Sequence, residues 1–146
     1  MPESISMLPT ESLALLRGGV FGRMAVIAPD GPHVVPVNYA VVGDAVVVRT
    51  EEGSVLGTHA PGAVGAFEVD HVDYENHHGW SVVVRGVVEP VIDPVELRRI
   101  ASTWSPRPWA TGGRPLHLRL VWHEIHGRRI GTGWSTVASM PVRRAL

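Results

Sequence analysis

Apolar positions along the chain follow two periods, and the switches between them predict a series of strands with short helices in between. Near the start, Leu13 and Leu16 fall on one helical face, Thr10 is placed to cap the N-terminus and Gly18-Gly19 to end it, so one small helix is expected. The pattern then changes to Val-rich runs broken by turn residues, which is the pattern of strands. Phe21 to Ala28 is the first expected strand, Pro29-Asp30-Gly31 a turn, His33 to Val42 the second strand, Gly43-Asp44 a tight turn, and Ala45 to Thr50 the third. Three antiparallel strands in succession predict a meander.

Glu51 to Ala60 reads as a short helix or a loop, because Gly53 and Gly57 lower its helical propensity. After a turn at Pro61-Gly62, Ala63 to Asp70 is the fourth expected strand and Trp80 to Val91 the fifth, with a polar, His-rich loop from His71 to Gly79 between them. In the fifth strand the period of two puts Ser81 and Arg85 on one face and Trp80, Val82 and Val84 on the other. Asp93-Pro94-Val95-Glu96 then opens a helix, with Asp as cap, Pro at the first position and Glu placed to reach back; Leu97, Ile100, Ala101 and Trp104 follow at helical spacing. A Pro/Gly-rich loop from Trp104 to Gly113 leads to a sixth strand, where Leu116, Leu118, Leu120 and Trp122 alternate with His117, Arg119, Val121 and His123. The tail from Gly131 shows little periodicity. Strands outnumber helices and no βαβ alternation with a glycine fingerprint is present, so the expected fold is mainly β: a six-stranded antiparallel barrel with two or three short helices.

Composition narrows what such a barrel can do. A chain of 146 residues is the length of one domain, expected to run from 1 to 146. The net charge is -1 and there is no basic block, so nucleic acid is not an expected partner. The sequence contains no cysteine, which excludes a disulfide framework, a thiolate metal site, a Cys nucleophile and an iron-sulfur cluster, and leaves redox chemistry to a bound cofactor. Neither a secretory signal pattern nor a long apolar run is present, so the expectation is a cytoplasmic protein with no membrane partner.

Several segments carry candidate chemistry. His71, His77 and His78 cluster among the eight histidines, but their spacing matches no ligand pattern, and a solvated polar loop is preferred to a metal site. No Gly-x-Ser-x-Gly elbow and no P-loop is present. Arg49-Thr50-Glu51-Glu52-Gly53-Ser54 combines a guanidinium, hydroxyls and a glycine turn, which suits a phosphate and equally suits an ordinary strand end. Trp80-Ser81-Val82 sets an aromatic body beside a hydroxyl, and Pro36-Val37-Asn38-Tyr39 places an amide among apolar neighbours. Such groups match the mixed edge and flat face of a ring cofactor, or else belong to the core and a strand edge.

In this order the motifs resemble the flavin-binding split β-barrels of the pyridoxamine 5'-phosphate oxidase-like family. The resemblance runs through Phe21-Gly22-Arg23-Met24-Ala25, the Pro-Val-Asn-Tyr stretch, Arg49-Thr50 with Gly53-Ser54, Phe67-Glu68-Val69-Asp70, Gly79 to Gly86 and Gly127-Arg128-Arg129. It implies a homodimer enclosing FMN at its interface and an oxidoreductase acting on a small organic substrate. It also implies that Arg49, Thr50 and Ser54 hold the phosphate, and that Pro36, Val37, Asn38, Trp80, Ser81 and Val82 line the ring. Trp109 or Arg129 would come from the partner chain. Many members carry a Lys directly after the Gly-Ser pair, where this sequence has Val55, so a different flavin, a deazaflavin or no cofactor is the alternative to FMN; a non-catalytic binder of flavin, deazaflavin or haem is the alternative function. No catalytic residue is singled out.

Overall fold

The computed structural model describes residues 4–103 and 116–131; Trp109, the loop from Trp104 to Gly113 and the tail after Gly131 lie outside them. Among the described residues the order is β1 (Ser4–Ser6), α1 (Pro9–Gly18), β2 (Phe21–Ala28), β3 (Gly31–Asn38), β4 (Ala40–Val42), β5 (Ala45–Thr50), α2 (Val55–His59), β6 (Val64–Asp73), β7 (His78–Pro90), α3 (Pro94–Thr103) and β8 (Leu116–Ile130). The strands form one antiparallel sheet in the order β3-β2-β6-β7-β8-β5-β4, with β1 added on β8. The sheet curls until β3 approaches β5 across an open seam, which gives a split barrel. Among the described residues no helix is long and apolar enough to cross a membrane.

The expected mainly-β barrel is therefore present, with eight strands where six were expected. One extra strand is β1; the other arises because the expected second strand breaks at Tyr39. The Tyr39 backbone N–H turns to Val20 O at 3.0 Å. Its fully buried ring packs on Phe67 with centroids 4.6 Å apart, and its hydroxyl donates to Leu16 O at the end of α1. A Cβ at Gly19 would collide with that hydroxyl, so glycine is required there by space. The break overturns the expected meander: β3 ends up at one edge of the sheet and β4 at the other.

Other boundaries differ for identifiable reasons. α1 begins at Pro9, with Thr10 inside it, and Ser12 bonds back to Leu8 O at 3.1 Å. The segment expected as a His71–Gly79 loop is mostly strand, since His71 pairs with Trp80 and Asp73 with His78, leaving a four-residue turn. Asp73 organises that turn: Oδ1 accepts the N–H groups of Glu75 and Asn76 at 3.0 Å, and Oδ2 accepts Asn76 Nδ2 at 2.8 Å. The Asn76 side-chain bond is the main reason the Asp73 carboxyl lies below its ordinary pKa. At α3 the cap is as expected, with Asp93 Oδ1 accepting Val95 N–H at 2.9 Å. Glu96 does not reach back; it pairs instead with Arg99 and with Arg119 of β8, each at 3.6 Å.

Strand β8 is longer than expected because it changes face midway. The β7–β8 register slips between Arg85, opposite Glu124, and Gly86, opposite Trp122, so His123 is an extra residue. Before the bulge, Leu118 and Leu120 point into the barrel; after it, Ile125 and Gly127 do. Across from the bulge, a Cβ on Gly86 would run into the backbone carbonyl of Val121. Two apolar clusters result. The main one fills the barrel with residues such as Leu15, Met24, Tyr39, Phe67, Val82 and Leu120. The smaller one, formed by Val42, Val47, Val91 and Ile100 with Leu97 against it, seats α3 on the outside of β5.

Gly86→Ala is expected to lower stability by about 1–3 kcal/mol, the usual cost of overpacking. Gly53→Ala, where an added Cβ meets nothing within 4 Å, should change it by less than about 0.5 kcal/mol. Urea unfolding of the two variants checks the contrast.

Candidate functional site

The corner between β5 and α2 holds the first group of candidate residues. Thr50 is buried and faces inward, and its Oγ1 lies 2.7 Å from Ser54 Oγ. Ser54 is the N-cap of α2: its Oγ accepts the Gly57 N–H at 3.0 Å and donates to Glu51 O at 2.6 Å. With its only proton on Glu51 O, Ser54 can bond Thr50 only by accepting, so the Thr50 proton is committed too. Both hydroxyls are thus used to cap a helix, and neither has a donor left for a phosphate in this arrangement. Gly57 is part of the same corner, because a Cβ there would strike the carbonyls of Glu51 and Glu52.

Arg49 points to the opposite side of β5. It lines a cavity of about 570 Å³ between β5, α3 and the start of β8, with Glu52, Val91, Ile92, Leu97, Ala101, Leu116 and His117 as the other walls. Val55, in the first turn of α2, packs against the barrel core.

The second group lies elsewhere. Trp80 is 4% exposed and faces the core, and its indole N–H has no hydrogen-bond partner among the described residues. Val82 is fully buried, so it can meet a ligand only through its backbone, while the partly buried Val37 packs against the same core. Ser81 faces outward, with Asp70 and Arg128 beside it on the neighbouring strands. Trp80 and Ser81 border a second cavity of about 510 Å³, which is also lined by Asp70, Val72, His78, Arg128 and Ile130. Arg128 is the arginine at this cavity; Arg129, the residue singled out from the sequence, pairs with Trp80 and Ile5. Pro36 is exposed opposite Arg23, and Asn38 sits opposite Phe21 with its Nδ2 3.4 Å from Val20 O. His78 Nε2 is 3.3 Å from Asp73, and among the described residues no group of three His, Asp or Glu side chains is arranged to hold a metal.

One chain does not bring the two groups together. Arg49 lies opposite His117 near the start of β8 and Ser81 opposite Arg128 near its end. Roughly eleven residues of extended strand, about 35 Å, separate those positions on β8.

Sequence reasoning missed a cluster on the outward face. Arg23 Nη1 is 3.3 Å from Glu68 Oε1 and 3.2 Å from Asp70 Oδ1, so one guanidinium nitrogen serves two carboxylates. Burial, reinforced by the neighbouring Asp70, raises the Glu68 pKa to about 7 against the opposing pull of Arg23. The available signal was two acids at i and i+2 in a strand, alternating with Phe67 and Val69. Pro36 and Ser81 share this face, as do the exposed Ile27, Val34, Val72 and Val87.

Residues 9–129 match the family model described as pyridoxamine 5'-phosphate oxidase. The chain is 32% identical over 109 residues to the uncharacterized protein Rv0080 of Mycobacterium tuberculosis, covering 71% of this chain and 72% of that one. Among solved structures it is similar to an FAD binding protein from Mycobacterium smegmatis, with a TM-score of 0.72 and 30% identity over 86% of this chain and 97% of the other. It shares the fold of an FAD-binding protein from Mesorhizobium loti, with a TM-score of 0.68 and 18% identity over 90% of this chain and 100% of the other.

Removing the Ser54 hydroxyl should cost about 1 kcal/mol of stability, the usual value of an N-cap. In Ser54→Ala, hydrogen exchange at the Gly57 amide should accelerate relative to amides of β7; unchanged exchange would mean the cap contributes nothing.

Proposed function

Because the chain belongs to the pyridoxamine 5'-phosphate oxidase family, we propose that it is a flavin-binding oxidoreductase that acts on a small organic substrate as a homodimer. The observation that carries this reading is the separation of the Arg49 corner from the Trp80-Ser81 cavity. Each is half a site within one chain, and a twofold partner offers the way to set the half from one copy against the half from the other.

The residues fit a flavin nucleotide. Arg49, in the wall of a cavity that Glu52 and His117 also line, supplies a planar cation for a phosphate. The buried Trp80 N–H, without an acceptor among the described residues, suits a ring carbonyl, and Ser81 adds a hydroxyl beside the second cavity. With the hydroxyls of Thr50 and Ser54 capping α2 and an apolar Val55 in its first turn, the phosphate charge falls mainly to Arg49. FMN is the form carried by the family resemblance, and the Mycobacterium smegmatis relative, an FAD binding protein, makes FAD the form to test beside it. The flavin would supply the hydride chemistry, with a nicotinamide as donor, while this chain binds, orients and shields it. A cytoplasmic setting goes with this reading.

With no catalytic residue singled out, a second reading is a non-catalytic binder of flavin, deazaflavin or haem on the same barrel, and Val55 favours a cofactor other than FMN or none. Reduction of the bound flavin by NADH or NADPH and its reoxidation by an added acceptor would establish the enzyme; a bound flavin that neither donor reduces would establish the binder.

After incubation with FMN or FAD and gel filtration, the protein is expected to retain flavin absorption bands. Arg49→Ala should weaken flavin affinity by about 1.5–3 kcal/mol, roughly ten- to a hundredfold in Kd. Equal affinities of Arg49→Ala and wild type in a fluorescence titration would remove Arg49 as the phosphate anchor.

A further inference from the structure

We propose that two copies of the chain meet through the outward face of β3, β2, β6, β7 and β8, and that the Arg23–Glu68–Asp70 cluster at its centre makes their association proton-linked. The inference rests on the homodimer reading above and adds what controls it.

The face has the size and chemistry of a self-association surface. Ile27 and Val34 are each 68% exposed, Val64 55% and Val72 50%, and strand alternation puts all four on this one side. Five strands spaced about 4.8 Å apart, over about eight residues of β6, span roughly 600 Å², close to the roughly 800 Å² per partner of a standard interface. Exposed valines and isoleucine around a charged centre match the mixed make-up of a protein interface. A second copy is the occupant that also completes the divided flavin site.

Charge at the centre sets the condition for contact. Glu68 and Asp70 lie two residues apart on β6 and share one nitrogen of Arg23, so when both are ionised the cluster carries a net negative charge. Among the described residues Arg23 is the cation paired with these two carboxylates. Pro36 faces Arg23 from β3, and on β7 Val83 faces Glu68 and Ser81 faces Asp70. Arg85 of β7 is engaged by Glu124 of β8 at 3.3 Å, and His126 of β8 lies 3.5 Å from the same Glu124. Arg128 stands beyond Ser81, beside Asp70 at the second cavity. Bringing two such faces together would strip water from a carboxylate pair that shares one guanidinium nitrogen in each copy, whereas a proton held between Glu68 and Asp70 relieves their repulsion.

The direction follows from linkage. In the free chain Glu68 is raised to about 7, so below that pH the pair already holds its proton and association needs none. Covering the face raises the carboxyl further, so above about 7 each copy must take up a proton to associate, two per dimer. The dimer therefore weakens as pH rises through neutrality, by up to about a hundredfold in Kd per pH unit.

Sedimentation equilibrium of the full chain at pH 6 and pH 8.5 tests this. The expected result is a dimer at least tenfold weaker at pH 8.5, with Glu68→Gln as tight at pH 8.5 as wild type is at pH 6, and with the pH dependence intact in His126→Gln. A dimer of equal Kd at both pH values overturns the proton linkage and leaves the dimer standing. A pH dependence that survives in Glu68→Gln overturns it as well. A chain that stays monomeric at both pH values and at high concentration overturns the homodimer reading itself.

Discussion

The one-residue bulge at His123 is the constraint on which the rest of the barrel depends. β8 pairs with β5 at its start, with β7 over nearly its whole length and with β1 at its end, so it joins the two halves of the sheet. Strand side chains alternate strictly, and an unbroken β8 that buried Leu118 and Leu120 would also turn Glu124 and His126 into the core. The extra residue reverses the alternation, so Ile125 and Gly127 face inward while Glu124, His126 and Arg128 go out. The approach of Gly86 to the Val121 backbone lets β7 stay paired through the reversal.

That reversal also divides the outside of the sheet. Ahead of the bulge, the outer side of β5 presents Val47 beside Arg49 and is covered by α3, held by Leu97 and Ile100 and by the Glu96–Arg119 ion pair. Beyond it, the outer side of β6, β7 and β8 carries Glu68, Asp70, Ser81 and Arg128 among valines, with no helix of the described chain over it. Each region has its own cavity, one beside Arg49 and one beside Trp80 and Ser81. The same β8 that makes the fold continuous keeps the two candidate half-sites apart.

Legibility of the sequence followed how local the determining physics is. β2 and β5 have the boundaries expected from alternation and flanking turn residues, and Asp93-Pro94 caps α3 as its chemistry requires. The break at Tyr39 was hidden inside an apolar run, because it depends on the distant partners Leu16 and Phe67. The second half of β8 reads as polar, since Glu124, His126 and Arg128 alternate with only one large apolar side chain, Ile125; its strand character comes from pairing with β7. In the candidate site, Thr50 and Ser54 were recognisable as a cluster, but their spent protons were not, because Gly57 donates into it from a helix the pattern left open. Arg23 stands 45 residues from Glu68, so only the fold could unite that cluster.

The barrel itself gains little from the Arg23–Glu68–Asp70 cluster. Half-buried ion pairs of this kind are commonly replaceable by apolar side chains without loss of stability. Burial of Glu68 beside Asp70 adds a cost of its own, as its raised pKa records. On a face rimmed by exposed valines and isoleucine, an all-apolar centre would let strands pack in any register, whereas a charged cluster at one place admits only contacts that satisfy it. Its cost to the monomer and its position at the middle of the open face are both accounted for if its function lies in selecting what covers that face.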